Sequence, residues 1–240
     1  MACGDRLMTF IQKTISPQEH EAFDGTNKVP EKVRIIATRN DLAAIADPAT
    51  ELVILERSFP LNFQAWLTQL DASQLPSLRV LIKPADLRRF LELQMDNGGM
   101  VAGDMRDLLI GDIEDLVFAY ASITKSDLVD VRLERINHNA CWKFHRDFVE
   151  RRMLTTYLGP TTEWVHPQHA TQAMCQQKCF KGPIENLALY DVAIFKGSCT
   201  GSTSGIVHRS PPIAGTGCTR LLLSLNEQSE ISPDSWSEHL

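Results

Sequence analysis

The chain has 240 residues, of which 43% are hydrophobic and 22% charged, proportions typical of a globular protein with a sizeable core. Its formal net charge of −6 makes nucleic acid an unfavourable partner. No segment reaches the roughly 20 apolar residues of a bilayer span, and the first residues do not resemble a secretory signal. We therefore predict a cytoplasmic, mixed α/β or α+β protein without a membrane partner, whose six cysteines are thiols or metal ligands rather than disulfides.

Short strand and helix patterns alternate up to about residue 125. Apolar runs predict the strands, and apolar residues at three-four spacing predict the helices. The strands are expected at Glu51–Arg57 and Leu78–Ile82, and the helices over Leu61–Leu70, after Pro84 and from Asp104 to about Lys125. This half contains no concentrated set of chemical groups. We therefore assign residues 1–125 to an N-terminal α/β portion whose apolar stripes form packing surfaces.

Strand periodicity dominates the rest of the chain. Apolar and charged residues alternate from Val129 to Glu134, as in a half-buried strand. Three further strands are expected at Arg151–Leu158, Leu187–Phe195 and Cys218–Leu225. Because turns with Gly or Pro separate them, the pattern indicates an all-β sandwich or jelly roll. Residues 126–228 form this predicted core, and residues 229–240 a polar tail that belongs to the same compact unit.

The strongest chemical motif is His145-Arg146-Asp147, followed by His208 and Arg220. In extended backbone, His145 and Asp147 point to the same face, and a returning strand can bring His208 to them. Two imidazoles and one carboxylate cover one face of an octahedral metal and leave the other open. This facial triad suits non-haem Fe(II), although imidazole also suits zinc. We therefore predict a metal site at these three residues.

Two other enzyme classes share short motifs with this sequence. The tripeptide HRD occurs in the catalytic loop of protein kinases, but the Asn expected five residues after the Asp is Arg152 here. The segment Gly197–Gly201 has the spacing of a nucleophile elbow with Cys199 at its centre, but no helix pattern follows it. The kinase interpretation fails and a hydrolase is disfavoured, and we interpret this segment as a turn or lid near the metal.

Two longer stretches, FHRDFVERRMLTTYLGP and GIVHRSPPIAGTGCTRLLLSL, resemble the Fe(II)/2-oxoglutarate-dependent dioxygenase superfamily. The resemblance implies a double-stranded β-helix, a jelly-roll and cupin-like fold, in which His145, Asp147 and His208 are catalytic metal ligands. It also implies that Arg220, twelve residues after His208, binds the far carboxylate of 2-oxoglutarate and that Tyr157 adds a hydrogen bond. Arg220 is expected to point into the barrel, with Leu221 and Leu223 pointing outward. The implied reaction is hydroxylation of an unknown small molecule or protein.

More narrowly, FHRD, TYLGPTTEW and the VHRSPP…RLLLSL ending resemble an uncharacterised bacterial family, domain of unknown function 1826. The resemblance covers roughly residues 30–226, with Thr161 where we would expect Gly. Members often occur beside zinc-responsive genes, which hints at metal homeostasis. The alternative function is therefore a non-catalytic cupin-like protein that binds zinc or iron at the same triad. A third possibility is an interaction scaffold that retains no metal.

A second group of possible ligands precedes the strand at Leu187. His166, His169, Cys175 and Cys179 lie within fourteen residues, and tetrahedral zinc accepts this mixture of ligands. The spacing is not that of a standard zinc finger, and a helical insertion between strands explains it equally well.

Side chains near the triad define what the predicted pocket would contact. Trp142, Phe144 and Trp164 are candidates to line it, although each could instead belong to the core. Arg146 and Arg209 flank the ligands and could make the pocket cationic. The sequence does not identify the primary substrate.

Overall fold

A computed structural model describes residues 31–200 and 205–237. The start of the predicted N-terminal portion, the end of the predicted lid from residue 201 and the last three residues lie outside this range. The strands are β1 (Val33–Ile36), β2 (Leu52–Leu55), β3 (Leu78–Ile82), β4 (Val129–Ile136), β5 (Arg151–Leu158), β6 (Glu163–Val165), β7 (Glu185–Asn186), β8 (Val192–Lys196), β9 (Val207–Arg209) and β10 (Arg220–Glu227). The α-helices are α1 (Leu61–Gln69), α2 (Leu87–Asn97), α3 (Asp104–Thr124) and α4 (Ala170–Gln176).

The chain has an α+β fold organised around a large, mostly antiparallel sheet. This seven-stranded sheet has the order β1-β2-β8-β5-β10-β4-β3. Every neighbouring pair is antiparallel except β1 and β2. Strands from both sides of residue 125 hydrogen-bond within it, which the sequence patterns did not indicate. The proposed division of the chain at that residue stays a prediction.

Helices α1, α2 and α3 cover one face of the large sheet and form the main core with it, whereas α4 packs in a separate cluster. Leu221, Leu223 and Leu225 of β10 are buried there together with α3 residues such as Leu116 and Tyr120. We expected Leu221 and Leu223 to point outward, but the helical layer covers them. Because residues alternate along a strand, Arg220, Leu222 and Ser224 share the opposite face of the sheet.

A second, three-stranded sheet with the order β7-β6-β9 packs over that opposite face. Leu52, Leu154 and Phe195 of the large sheet form an apolar cluster with Trp164 of β6 and Ile206 beside β9. The candidate site lies next to this cluster. Among the described residues, no helix combines the length and hydropathy needed to cross a membrane.

Two segments differ from their predicted form. The strand expected at Leu187–Phe195 begins only at Val192, because a turn precedes it: Asp191 accepts the Ala188 N–H through Oδ2 at 2.8 Å, and Tyr190 has a φ of +76°. The described part of the polar tail is attached to β3. There the Trp236 N–H donates to the Leu81 carbonyl at 2.7 Å, and the Trp236 ring packs on Phe90.

Candidate metal centre

His145 and His208 face each other across a short antiparallel bridge. The His145 N–H donates to the His208 carbonyl at 3.0 Å, and the His208 N–H donates to the His145 carbonyl at 3.1 Å. This pairing joins the loop before β5 to β9 and places the two rings 4.5 Å apart between centroids. Two side chains that are 63 positions apart in sequence therefore become neighbours.

Asp147 completes a cluster of three possible metal ligands. One ligand atom from each of His145, Asp147 and His208 lies within 4.8 Å of the others, and no other group of this kind exists among the residues described. The Nε2 atoms of His145 and His208 lie 3.2 Å from Oδ1 and Oδ2 of Asp147, respectively. Both imidazoles therefore direct the same nitrogen toward one carboxylate, and the predicted triad is brought together.

Backbone carbonyls hold both rings in this orientation. The Nδ1 atom of His145 lies 2.8 Å from the Lys143 carbonyl, and that of His208 lies 3.3 Å from the Ile206 carbonyl. A hydrogen bond from Nδ1–H to a carbonyl leaves the lone pair on Nε2, which is the form that binds a metal. The two backbone carbonyls thus hold both imidazoles in an orientation suited to metal binding.

Arg152 holds the carboxylate of Asp147 from the other side. Its Nη1 atom donates to Asp147 Oδ2 at 2.6 Å, and its Nε atom donates to Asn226 Oδ1 at 2.6 Å. Burial alone would raise the pKa of Asp147, but His145, His208 and Arg152 outweigh it and lower this pKa well below its usual range. Asp147 is therefore ionised, as a metal ligand must be.

Arg220 is completely buried on the face of the large sheet that lies opposite the helices. Most of its hydrogen-bond donors have no partner among the described residues. Its Nη2 atom donates to Thr162 Oγ1 at 3.3 Å, whereas Nε and Nη1 have no partner among the residues described. Burial lowers the pKa of this guanidinium to about 10, against the opposing fields of Glu134 and Glu163. A buried guanidinium is normally paired, so these two donors are available to an anionic ligand.

Thr156 presents a second unpaired group beside this arginine, and sequence reasoning did not find it. Alternation along β5 places Thr156 on the face of Leu154, and its buried hydroxyl has no partner among the described residues. Tyr157 lies on the other face, where its hydroxyl donates to Asp112 at 2.5 Å within the main core. The structure therefore does not bring Tyr157 to Arg220. The period-two pattern from Arg152 to Leu154 and Thr156 could have indicated the threonine.

A cavity of about 390 Å³ adjoins the triad. His145, His208 and Arg152 line one part of it, and Thr162 lines the part near Arg220. Arg132 and Glu134 of β4 complete its charged lining. This volume lies at the lower end of the range typical of small-molecule sites.

Comparison with known proteins identifies the family. A family model described as a protein of unknown function, DUF1826, matches residues 37–226. The chain belongs to this family. No curated protein has a detectably similar sequence.

Several solved structures resemble this DUF1826 protein in backbone shape. Dioxygenase for auxin oxidation 1 from Arabidopsis thaliana, in a 2-oxoglutarate complex, has 10% identity and a TM-score of 0.49, with 85% of this chain and 95% of that chain covered. A Pseudomonas putida prolyl-4-hydroxylase has 13% identity and a TM-score of 0.38, with 78% of this chain and 95% of that chain covered. The Kdo hydroxylase KdoO, a non-haem Fe(II) α-ketoglutarate-dependent dioxygenase, has 10% identity and a TM-score of 0.41, covering 82% and 89%. At these values the likeness assigns no activity to the DUF1826 chain.

The second predicted zinc site does not form in the DUF1826 structure. Cys175 lies at the end of α4, and the chain turns at Gln177, with a φ of +51°, before Cys179. This turn breaks the helical spacing of the two cysteines, and both are exposed. The Nε2 atom of His169 contacts its neighbour Gln168, and His166 is exposed. The four side chains do not converge in the part of the chain that the structure describes.

The predicted aromatic lining is likewise absent from the cavity of the DUF1826 protein. Phe144 is buried in a separate cluster with Phe180, and Trp164 belongs to the apolar layer between the sheets. The Trp142 ring packs under the Lys178 ammonium, 4.6 Å from the ring centroid. Arg209 is paired with Glu163 at 2.5 Å, and Arg146 donates to the Gly205 carbonyl. The cationic lining comes instead from β4 and β5.

Proposed function

We propose that this protein is an Fe(II)/2-oxoglutarate-dependent dioxygenase that hydroxylates its substrate. The observation that carries this proposal is Arg220, a fully buried guanidinium with two unpaired donors on the sheet face that also supports the triad. A protein that only stores a metal has no use for such a group. A cosubstrate with a carboxylate remote from the metal explains it, because a carboxylate matches the fork of a guanidinium.

The ligand set fits Fe(II). His145, Asp147 and His208 would supply two imidazole nitrogens and one carboxylate oxygen, which leaves open positions on the ion. The metal and 2-oxoglutarate together would supply the activation of dioxygen. The chain itself would contribute orientation: Nδ1 of each histidine is tied to a carbonyl, and Arg152 fixes the second oxygen of Asp147.

The residues around Arg220 fit the far carboxylate of 2-oxoglutarate. Nε and Nη1 of Arg220 and the hydroxyl of Thr156 are buried without partners in the described structure. An anion bound there would receive hydrogen bonds from the arginine and the threonine. Thr162, which accepts from Arg220 at 3.3 Å and lines the cavity, would hold the guanidinium in place. We assign this role to Thr156 in place of Tyr157.

We also propose that the two sheets are the walls of a double-stranded β-helix. The apolar layer between β2, β5 and β8 on one side and β6 on the other supports this assignment. In such an arrangement the layer excludes water from one side of the triad, while the adjoining cavity admits ligands. The predicted core of residues 126–228 would then require β1–β3 to extend one of its walls.

The decisive experiment adds 2-oxoglutarate to the Fe(II)-loaded protein without oxygen. A bidentate keto acid at a facial triad gives a weak visible absorption, so its appearance reports chelation without requiring turnover. The matched ligand is 2-oxobutyrate, which has the same keto acid but no second carboxylate. We expect the wild type to bind 2-oxoglutarate far more tightly than 2-oxobutyrate. Arg220→Met should remove this preference.

Arg209→Gln provides the control variant, because Arg209 lies next to a ligand but is paired with Glu163. It should keep the preference for 2-oxoglutarate. If the wild type retains iron or zinc but 2-oxoglutarate changes neither the absorption nor the heat of binding, the dioxygenase proposal is wrong. Metal retention alone would then support the non-catalytic metal-binding function.

A further inference from the structure

Two opposite charges without strong partners line the cavity beside the triad. Arg132 and Glu134 are both on β4, two positions apart, so their side chains leave the same face of the sheet. Their Cα atoms are separated by about 6.6 Å along an extended strand. Both residues line the same cavity as His145 and His208.

Arg132 has hydrogen-bonding capacity that the protein does not use. Its Nε atom is buried and has no hydrogen-bond partner among the described residues. The nearest carboxylate, Asp130, is 3.7 Å away. That carboxylate already accepts two hydrogen bonds from Arg79, at 3.1 and 2.7 Å, and one from Ser232 at 2.9 Å. Arg132 is therefore a cation free to bind another anion.

Glu134 is the complementary anion. It is half-buried and makes no hydrogen bond or ion pair with any residue that the structure describes, although its field reaches Arg79 and Arg220. The other formal charges of the lining are occupied: Arg152 binds Asp147, and Arg135 donates to the Ala72 carbonyl. The same small cavity is thus lined by a cation, Arg132, that makes no hydrogen bond through Nε and has only a long ion pair with Asp130, and by an anion, Glu134, that has no ion pair among the described residues.

We propose that the primary substrate is a small zwitterion of the amino-acid class, whose carboxylate binds Arg132 and whose ammonium group binds Glu134. This inference rests on the proposed function and names the substrate class for the same site. A free amino acid supplies both charges within one small molecule, and a cavity of about 390 Å³ has room for a small molecule rather than a folded partner. A cation and an anion on neighbouring positions of a rigid strand would also fix the orientation of the substrate toward the metal.

Calorimetric titration of the full chain with the twenty common amino acids tests this assignment. Each amino acid is compared with its N-acetyl and amide forms, both with the metal alone and with anaerobic Fe(II) plus 2-oxoglutarate. We expect at least one free amino acid to bind and its blocked forms to bind roughly 10- to 100-fold more weakly, the effect of losing a hydrogen bond to a charged group.

Two variants assign each charge. Arg132→Gln should weaken binding of the free amino acid and abolish the preference for the free acid over its amide. Glu134→Gln should abolish the preference for the amine over the N-acetyl form. Arg88→Gln is the control, because Arg88 lies on α2 outside the cavity and is paired with Glu114, and this variant should bind as the wild type does.

The results separate this inference from the proposed function. A normal 2-oxoglutarate response without binding of any amino acid overturns the substrate class and leaves the dioxygenase proposal standing. If amino acids bind in a charge-dependent way but 2-oxoglutarate gives no response, the amino-acid ligand class is supported and the dioxygenase proposal is overturned. Equal binding of free and blocked forms, or unchanged binding in both Gln variants, also overturns the assignment.

Discussion

Arg220→Met should stabilise the ligand-free protein. Arg220 is completely buried, yet Nε and Nη1 have no partner among the described residues, and its single contact with Thr162 is long, at 3.3 Å. A buried polar group without a partner costs about 1–3 kcal/mol, and replacing buried charges by apolar residues of similar volume often stabilises by about 1–4 kcal/mol. We therefore expect the free energy of unfolding to rise by about 1–3 kcal/mol in this variant.

Arg106→Met is the matched control, because Arg106 is also a buried arginine, but both of its Nη atoms are hydrogen-bonded and only Nε has no partner among the described residues. Its Nη1 atom donates to Asp96 at 2.6 Å and to the Met100 carbonyl at 2.8 Å, and Nη2 donates to the Glu92 carbonyl at 3.0 Å. Removing it leaves carbonyl acceptors without their donor. We expect the free energy of unfolding of this variant to fall by about 2–4 kcal/mol.

Urea unfolding of the metal-free proteins measures both changes by linear extrapolation. Added 2-oxoglutarate at 100 times its Kd, with the metal present, should stabilise the wild type by about 2.7 kcal/mol and leave Arg220→Met unchanged. The reasoning is refuted if Arg220→Met loses as much stability as Arg106→Met. That result would mean that Arg220 is already satisfied within the protein.

Three further variants test other parts of the site. Arg152→Met should lower the affinity for the metal about 10- to 100-fold, measured by chelator competition, because Asp147 loses the contact that fixes it; an unchanged affinity would contradict this role. Thr156→Val should weaken 2-oxoglutarate binding roughly 10-fold in calorimetry and should not lower the urea stability of the ligand-free protein, since its buried hydroxyl has no partner among the described residues to lose. Tyr157→Phe should keep the affinity for 2-oxoglutarate but lower the free energy of unfolding by about 1–3 kcal/mol, because Asp112 loses a hydrogen-bond donor. If Tyr157→Phe weakens 2-oxoglutarate binding and Thr156→Val does not, Tyr157 rather than Thr156 contacts the cosubstrate.

The triad could be predicted from one local motif together with a family resemblance. His145 and Asp147 are two positions apart, and the resemblance supplied His208 together with Arg220. The β-bridge that pairs the two histidines depends on contacts between distant segments, so no spacing in the sequence could have indicated it. The long helix at Asp104 and the strand at Leu78 were predicted within a residue or so, because both have strong periodicity.

The remaining site residues depended on which face of a strand points to the site. Tyr157 and Thr156 are adjacent, so an error of one position moves a side chain to the other face of the sheet. A register shift in the pairing of β5 with β10, next to Leu221 and Leu222, makes this region harder to predict from alternation alone. The weak pairing of Arg132 could not be read from the sequence either, because it depends on the hydrogen bonds that Arg79 donates to Asp130.

The two faces of the large sheet show why unpaired groups, rather than buried polar groups in general, indicate the ligand site. On the helical face, Asp112 contacts both Arg57 and Tyr157, and Arg57 also donates to the Tyr190 carbonyl at 2.6 Å. This network has its partners within the protein, so it needs no ligand and is explained by stability. On the other face, Arg220, Arg132 and Thr156 all keep buried atoms without partners in the described structure. Each such atom opposes folding. Their presence on the sheet face that also borders the triad cavity, which Arg132 lines, is best explained by anionic ligands that pair with them.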